Sequence, residues 1–303
     1  MNSKLALPVI ALALAVPAAS FAQAFGAASS YNVFVTGNFS SSGSDTEGRL
    51  AAGGNVNVSS YDVGLLVSGG SNTGIVSGGS VSFSGGQVTG NVVSKNGSNL
   101  TNFAFRNSGS AVTGASAVNS VMNFGQTASY LQNASTQWGD LANNGLVESK
   151  YGGVYFTGYS NTLNVFNITA AQLESGSYYT FNIPSGSTTL FNVTGTTVNF
   201  AKNTSYDVTG SKTVWNLKNA TSANFKSLDG SVLAPYAAIS ANGGRINGQI
   251  LAGSYDGQTQ INNVLFTGES LPPVTNAVPE PASMIALGIG GLALIRRRRA
   301  SKK

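Results

Sequence analysis

The stretch Gly53-Gly54-Asn55-Val56-Asn57-Val58 carries the pattern that decides the fold: a glycine pair, then apolar residues alternating with small polar ones. The same period of two recurs in Val81-Ser82-Phe83, Thr180-Phe181-Asn182-Ile183, Phe191-Asn192-Val193 and Val198-Asn199-Phe200. Successive side chains of a strand point to opposite sides, so this alternation predicts short β-strands with one buried face. Further glycine pairs, beginning at Gly69, Gly78, Gly85, Gly152 and Gly243, separate such strands.

These strands predict a mainly β protein, a right-handed β-solenoid (β-helix-like) in which outward Asn, Ser and Thr side chains form ladders at a rung spacing of ~4.8 Å. A β-sandwich is the alternative, because it would give the same strand signals. The solenoid is favoured since glycines suited to tight corners outnumber hairpin signatures. The glycine spacing is irregular, so the sequence is not a strict repeat array.

One segment, about 117–143, has a helical period instead. Its apolar residues follow a spacing of three and four, with Ser135 in the remaining position of the stripe: Val121, Phe124, Ala128, Leu131, Trp138 and Ala142. This predicts one long amphipathic helix that ends at Asn144-Gly145. A lone helix cannot bury its own stripe, so we expect it to cover one flank of the solenoid. A coiled coil with a partner is the alternative.

Charge and composition exclude several classes of function. Seven of the 16 basic residues and one of the 11 acidic residues lie in the two chain ends. The body therefore has nine basic and ten acidic residues, a net charge of −1. The body therefore gives no ground for nucleic-acid binding. The chain has no Cys and no His, which excludes Ser-His-Asp and Cys-His catalysis and zinc sites built on these residues.

Catalysis by carboxylates is the remaining route to an enzyme, for example one that acts on polysaccharide. The acids of the body are scattered singly in the sequence, and only Asp45 and Glu47 lie close together. That pair, in a Ser/Gly-rich loop, could bind Ca²⁺, but a solvated turn is the simpler interpretation. We therefore expect no catalytic residue, no metal site, no cofactor and no enzymatic activity.

The chain ends have the character of targeting segments. Residues 1–24 combine Lys4, an apolar run, a helix-breaking Pro17 and small residues before Phe25, which predicts a Sec signal peptide. Cleavage is expected after Ala24, because Ala22 and Ala24 fit the A-x-A rule; cleavage after Ala22 is the alternative, since Ser20-Phe21-Ala22 fits the rule almost as well. At the other end, an uncharged run over 282–295 forms a minimal membrane helix when counted from about 279.

That C-terminal end resembles a PEP-CTERM sorting signal. The resemblance rests on Val278, Pro279, Glu280 and Pro281, the short apolar helix, and the terminal arginines Arg296, Arg297, Arg298 and Arg299. It implies processing by exosortase, a membrane protease/transpeptidase of Gram-negative bacteria that make exopolysaccharide. An ordinary C-terminal anchor with a proline stalk is the alternative.

The body resembles the choice-of-anchor A family, an adhesive β-helical domain that is followed by different surface anchors. The matching motifs are Asn164-Val165-Phe166, Trp215-Asn216-Leu217, Gly230-Ser231-Val232-Leu233-Ala234-Pro235 and Gly244-Arg245-Ile246-Asn247-Gly248. Tyr236 departs from the pattern, in which Asn is expected after Ala-Pro. The segment leading to Ile246-Asn247-Gly248 also distantly resembles bacterial ice-binding solenoids.

These observations divide the chain into a signal peptide (1–24), an adhesive domain (25–268), a linker (269–278) and a sorting signal (279–303). The expected protein is exported, anchored first in the inner membrane by its C-terminal helix, and then placed on the surface or in the extracellular matrix. Its expected partners are the Sec machinery and exosortase, then exopolysaccharide or other surface proteins in a biofilm. An ice-binding solenoid is the alternative, but the regular Thr-x-Thr rungs that it would need are absent.

Overall fold

The computed structural model describes residues 24–67, 73–200 and 208–275. The strands of the first half are β1 Val33–Val35, β2 Phe39–Thr46, β3 Leu50–Ala52, β4 Val56–Val63, β5 Thr73–Ser77, β6 Val81–Thr89, β7 Asn91–Ser94, β8 Ser98–Arg106 and β9 Ala111–Thr113. The helices are α1 Ala115–Val121, α2 Phe124–Gly139 and α3 Ala170–Ser175. The later strands are β10 Leu146–Lys150, β11 Gly153–Thr157, β12 Leu163–Thr169, β13 Tyr179–Asn182, β14 Thr188–Thr194, β15 Thr197–Phe200, β16 Thr213–Asn216, β17 Ser222–Phe225, β18 Leu228–Asp229, β19 Ser231–Ala241, β20 Arg245–Asn247, β21 Ile250–Gly257 and β22 Gln260–Asn262.

A parallel sheet of 19 strands forms the body, and it confirms the predicted β-solenoid. The sandwich alternative is wrong, because its sheets would be antiparallel. Strands stack in three columns, which give the solenoid three faces. The helix face runs in the order β9-β7-β5-β3-β1-β21-β19-β16-β14-β12. The polar face runs β8-β6-β4-β2-β21-β19-β17-β15, and the third face runs β8-β6-β4-β2-β22-β20-β18.

The order of stacking is not the order of the chain. The first half begins in the middle of the solenoid with β1 and β2 and proceeds outward to β8 and β9. The second half begins at the other end with β12 and returns to β21 and β22, which pair with β1 and β2. The two halves therefore meet at a seam, where backbone hydrogen bonds join residues more than 200 positions apart, such as Gly37 N to Gly253 O at 2.7 Å. The seam makes one continuous core out of two half-solenoids.

The helix segment lies on the helix face, as predicted, and joins the outer ends of the two halves. It begins at Ala115, ends at Gly139, and is bent at Met122 and Asn123. Met122 is extended, and the Asn123 side chain caps α2 by accepting a hydrogen bond from Gln126 N at 3.0 Å. The outward apolar side chains of the face lie beneath α1 and α2 in one buried cluster: Phe34, Ala51, Val76, Val93, Val165, Leu190, Val214, Leu233 and Leu251.

The predicted stripe is confirmed at Leu131, Ser135 and Trp138, which are fully buried, whereas Ala142 lies beyond the helix and is exposed. The helix ends four residues before the predicted position 143 because the asparagines there bind the sheet. Asn144 Oδ1 accepts a hydrogen bond from Val165 N at 2.7 Å, and Asn143 Oδ1 accepts one from Asn167 N at 2.9 Å. The two side chains thus accept hydrogen bonds from backbone N–H groups at the open edge of β12. A further turn of helix would leave these groups without partners.

A second, three-stranded sheet, the cap sheet, lies at the β12 end of the body. Strands β10 and β11 form an antiparallel hairpin, and β11 pairs in parallel with β13. Its inner side packs Val154, Phe156 and Tyr179 onto the core. Helix α3 covers the same end; Thr169 and Gln172 form a capping box at its start.

The chain after β22 crosses back over α2. Phe266, Leu271 and Val274 pack on the cluster beneath the helices, and Trp138 Nε1 donates a hydrogen bond to Pro272 O at 2.9 Å. This stretch overlaps the predicted linker, and it lies on the surface of the domain up to Thr275, the last described residue.

Candidate functional site

The polar face is the candidate binding surface, because its outward side chains are small and polar and none of the other helices and strands that the structure describes packs over them. Its strands alternate strictly. In β4, Val56 and Val58 are buried while Asn57 and Ser59 are exposed. In β15, the buried Val198 alternates with the exposed Thr197 and Asn199. The outward positions are therefore held in register from rung to rung by the buried apolar ones.

The central column of this face runs without interruption across the seam. Register pairs place eight residues one above another, in the order Asn99, Ser82, Asn57, Ser40, Asp256, Ser240, Asn224 and Asn199. At a rung spacing of ~4.8 Å the column is about 34 Å long. It offers hydroxyl and amide groups at constant spacing, with Asp256 as its one acidic member.

The columns on either side hold the same residue types. Thr101, Ser84, Ser59 and Ser42 form one of them. On the other side, Asn38 Oδ1 accepts a hydrogen bond from Asn55 N at 2.8 Å, and Asn55 Oδ1 accepts one from Ser80 N at 2.9 Å. These ladder contacts fix the rotamers of Asn38 and Asn55 at one side of the face.

A shallow depression of about 220 Å³ lies on the polar face at the seam. It is lined by Ser40, Ser41, Ser42, Asn57, Asn242, Asp256, Gly257 and Gln258, which come from both halves of the chain. Gln258 Nε2 donates a hydrogen bond to Ser42 Oγ at 3.1 Å across the seam. The depression can accept hydroxyl groups of a ligand but does not enclose one.

The acids of the third face are closer together than the sequence indicates. Asp45 lies in strand β2 and not in a loop, and its register partner is Asp62. Burial, and then the negative charges of Glu47 and Asp62, raise the pKa of Asp45. Glu47 holds the seam, since its Oε2 accepts a hydrogen bond from Asn263 N at 2.8 Å. Both Asp62 oxygens accept hydrogen bonds from Gln87, from its N at 3.0 Å and its Nε2 at 3.2 Å.

Within the described ranges, no group of three or more acidic residues is arranged to hold a metal ion. The same ranges contain no helix with the length and hydropathy that crossing a membrane requires. The sorting-motif residues Val278, Pro279, Glu280, Pro281 and Arg296–Arg299, the predicted membrane helix and Ala22 lie outside the described residues. Ala24 is described, and its carbonyl accepts a hydrogen bond from Tyr130 Oη at 3.3 Å.

Sequence reasoning predicted an outer surface of Asn, Ser and Thr but did not identify the polar face. The strand alternation places each residue inward or outward, but it does not say which strands stack. The column becomes visible only when β2 is paired with β21, which is its neighbour in the stack but lies more than 200 residues later in the chain.

Comparisons with known proteins place two parts of the chain in known families. A family model described as "Putative Ice-binding-like adhesive domain" matches residues 24–263, and a model of the PEP-CTERM protein-sorting motif matches residues 277–299. No curated protein matches the sequence. Among solved structures, the chain is similar to an ice-binding protein from the Antarctic ascomycete Antarctomyces psychrotrophicus, at 16% identity over 80% of this chain and 98% of that chain. The TM-score is 0.35, a likeness too distant to carry an argument about function.

The family match spans most of the chain and both ends of the solenoid. The sorting motif directs its bearer out of the cell and implies processing by exosortase. The chain therefore belongs to the ice-binding-like adhesive domain family and is an exported, surface-directed protein with a C-terminal PEP-CTERM signal.

Proposed function

We propose that the protein is an adhesive component of the cell surface or extracellular matrix, and that its polar face binds exopolysaccharide in a biofilm. The face would make many weak hydrogen bonds to an extended, hydroxyl-rich polymer. A single contact of this kind is weak in water, so retention depends on several contacts at once and on many copies of the protein. Other surface proteins that carry hydroxyl-rich chains are partners of the same type.

The central column is the observation that supports this proposal most. It lies on the exposed side of the strands, and it is long enough for about six pyranose units of an extended chain, taking roughly 5–6 Å per unit against the ~34 Å of eight rungs. The helix face cannot serve in this way, because α1 and α2 cover it.

A pull-down against the producer's own exopolysaccharide tests the proposal. The protein is recovered from the cell surface as wild type and with Asn57→Ile and Asn224→Ile together. These changes remove hydrogen-bonding groups at exposed positions and add bulk to the flat face. The β-branched side chain suits a strand, so the fold is retained. We expect the polymer to retain a clearly smaller fraction of the double variant than of wild type.

The matched control is Ala104→Ile, which adds similar bulk at an exposed position of the third face, on strand β8. It should bind as wild type does. Equal binding by all three proteins would contradict the role of the polar face.

We also propose that the exported body carries out no chemistry. The proposal is supported by the absence of His and Cys from the chain and by the structural roles of Glu47 and Asp62 in seam and rung hydrogen bonds. Incubation with the polymer should leave its chain length unchanged. Cleavage that is abolished by Asp45→Asn or Asp62→Asn would overturn this in favour of an enzyme.

Export is proposed to start with Sec and removal of residues 1–24, and to pass through a precursor held in the inner membrane of a Gram-negative bacterium by the helix at about 279–295. Exosortase would then cut near Pro279–Pro281. Intact-mass spectrometry of surface material should give a chain that begins near Phe25 and lacks Arg296–Lys303. Recovery of that basic tail on surface-exposed protein would contradict the route.

Ice binding is the second candidate, favoured by the constant rung spacing of the columns on an exposed flat face. The columns contain few threonines, Thr101 and Thr197 among them, so we rank ice binding below polysaccharide binding as the function of this face. Thermal hysteresis measured on wild type and on Asn57→Ile/Asn224→Ile separates the two: an ice-binding face gives hysteresis that the double variant loses.

A further inference from the structure

The outer side of the cap sheet carries a cluster of tyrosines that the polar face does not include. Tyr155 points away from the core between the buried Val154 and Phe156. The Tyr155 ring lies 6.0 Å from that of Tyr178 and 6.5 Å from that of Tyr151, at angles of 79° and 82°. Tyr151 is 85% exposed, more than any other large hydrophobic residue that the structure describes. We call Tyr151, Tyr155 and Tyr178 the tyrosine cluster of the cap.

The turn that carries Tyr151 has a strained backbone conformation at that residue. Tyr151 and Gly152 are the two central residues of the β10–β11 hairpin, with φ of 51° and 76°. Two positive φ values define a type I′ turn, for which Asn-Gly is the favoured pair. A bulky residue at the first position is strained, and such strain clusters where a side chain serves a function. Folding alone would favour Asn here, so the ring itself needs an explanation.

Hydrogen bonds hold the other two rings in place. Tyr178 Oη donates to Tyr151 O at 3.1 Å, so its 2.7 Å contact with Tyr155 Oη is one in which Tyr155 donates. The ring of Tyr178 lies against Gly153, where a Cβ would come within 2.4 Å of it. The rings of Tyr155 and Tyr178 are therefore held in place, and the exposed ring of Tyr151 lies beside them.

The polar groups beside the tyrosine cluster carry no net charge. Lys150 Nζ lies 2.9 Å from Glu148 Oε2 and 5.0 Å from the centroid of the Tyr155 ring. Thr180 is the register partner of Tyr155 on β13 and adds a hydroxyl. Aromatic plates beside a compensated ion pair and a hydroxyl suit a ligand with one C–H-rich face and hydroxyls at its rim, and they offer nothing to select an anionic polymer.

We propose that the tyrosine cluster of the cap is a second binding site of this protein, which binds a neutral pyranose unit of a polysaccharide by stacking it on the Tyr151 ring. Axial C–H groups of the sugar would lie on the ring, and its hydroxyls would reach Glu148 and Lys150. Aromatic residues bring large contact area at low entropic cost, which makes them frequent anchors of binding sites. The inference rests on the proposed function only in that the exported protein meets polysaccharide; it does not depend on the polar face.

The test uses the protein recovered from the cell surface in four forms: wild type, Tyr151→Asn, Tyr151→Trp and Tyr236→Asn. Binding to dextran, laminarin and agarose is measured by affinity electrophoresis, with alginate as an anionic comparator and light scattering for the oligomeric state. Tyr151→Asn removes the ring and installs the favoured turn residue. It should weaken binding to a neutral polymer about tenfold while raising the melting temperature by about 2–4 °C.

Tyr151→Trp keeps an aromatic plate and should bind at least as well as wild type. Tyr236, which is 52% exposed on β19 outside the cap, serves as the matched control, and Tyr236→Asn should bind as wild type does. Opposite changes in stability and binding at Tyr151 distinguish a site from a structural turn.

Three results would overturn the proposal: equal binding of wild type and Tyr151→Asn, binding by wild type to alginate alone, or a change in oligomeric state at Tyr151→Asn that accounts for the loss. Failure of the polar face is a separate result, because Asn57→Ile/Asn224→Ile leaves the tyrosine cluster of the cap intact and should retain its binding to the neutral polymers.

Discussion

At the scale of single residues, one corner of the solenoid explains why the repeat is hidden in the sequence. Gly43, Ser60, Gly85 and Asn102 occupy equivalent positions in four successive rungs, each between two register pairs, and all four have positive φ, between 48° and 76°. This is the bend between the polar face and the third face. Glycine adopts it freely, but serine and asparagine occupy it in two rungs, so a search for periodic glycines misses the repeat.

This corner yields a paired prediction. Ser60→Gly relieves left-handed strain and should raise the free energy of unfolding by about 0.5–1 kcal/mol. Gly43→Ala introduces the strain one rung away, at a position where a Cβ would meet no atom within 4 Å, and should lower it by about 1 kcal/mol. Urea unfolding of both variants measures the two shifts. Shifts of the same sign would show that contacts, and not φ, set stability at this corner.

Buried tyrosines give the second prediction. Burial raises the pKa of Tyr255 to about 12 and also raises the pKa of Tyr61, whose hydroxyl lies 2.8 Å from that of Thr46. Unfolded tyrosines lose their protons near pH 10. Between pH 10 and 12 the unfolded state therefore binds fewer protons than the folded state, and stability falls as pH rises. Below pH 10 both states are protonated and the full stabilisation is present.

In Tyr255→Phe, the free energy of unfolding should fall less between pH 10 and 12 than in wild type, by about 2–3 kcal/mol, because Tyr255 no longer ionises on unfolding. Chemical unfolding of wild type and variant at pH 8, 10 and 11.5 measures it. The pH 8 pair is the control for any change in packing. A parallel decline of the two proteins above pH 10 would contradict the assignment to Tyr255.

At the scale of elements, α2 is fixed to the sheet by polar contacts as well as by its apolar stripe. Asn216 Nδ2 donates to Ser135 O at 2.9 Å, and Asn192 Nδ2 donates to Trp138 O at 2.9 Å. The two asparagines also bond each other across adjacent rungs at 2.9 Å. This explains the serine in the predicted stripe: Ser135 Oγ bonds Asn216 Oδ1 at 2.6 Å in a fully buried position. A buried hydrogen-bond ladder fixes the place of the helix along the face.

The helix was predictable and its details were not. The spacing of Leu131, Ser135 and Trp138 reports the buried side, because the period of 3.6 is local. The bend depends on Asn123 acting as a cap in mid-segment, and the early end depends on the pairing of Asn143 and Asn144 with β12. Both depend on where the sheet lies beneath the helix, which the helix sequence does not encode.

Trp138 gives the prediction at this scale. Its ring is 1% exposed, meets Phe25 edge to face at 5.9 Å, and bonds Pro272 O through Nε1. Trp138→Ala should lower the free energy of unfolding by about 3–5 kcal/mol. Trp138→Phe keeps most of the bulk but loses the hydrogen bond, and should cost clearly less. Denaturant midpoints that barely move for Trp138→Ala would show that α2 contributes little to the core.

At the scale of the whole molecule, the sequence predicts the solenoid but not its order. Alternation in Asn57-Val58 or Val198-Asn199 is a property of neighbours, so strands and their inward faces can be predicted. The stacking of β1 and β2 on β21 and β22 is a property of residues more than 200 apart, which no local pattern reports. The polar face and the seam depression follow from that stacking and were missed for this reason. The approach of Asp62 to Asp45 follows from the pairing of β2 with β4, whose register the strand pattern does not report either.

The central claim is that an exported solenoid binds polymer through its polar face and does not act on it chemically. The most direct measurement is cell adhesion and biofilm mass of a strain that lacks the protein, complemented with wild type, Asn57→Ile/Asn224→Ile or Asp45→Asn/Asp62→Asn, with exopolysaccharide amount and chain length determined in parallel. We expect adhesion to be restored by wild type and by the acid variant but not by the polar-face variant, with the polymer unchanged in every strain. Restoration by the polar-face variant but not by the acid variant, together with a change in polymer length, would contradict the account.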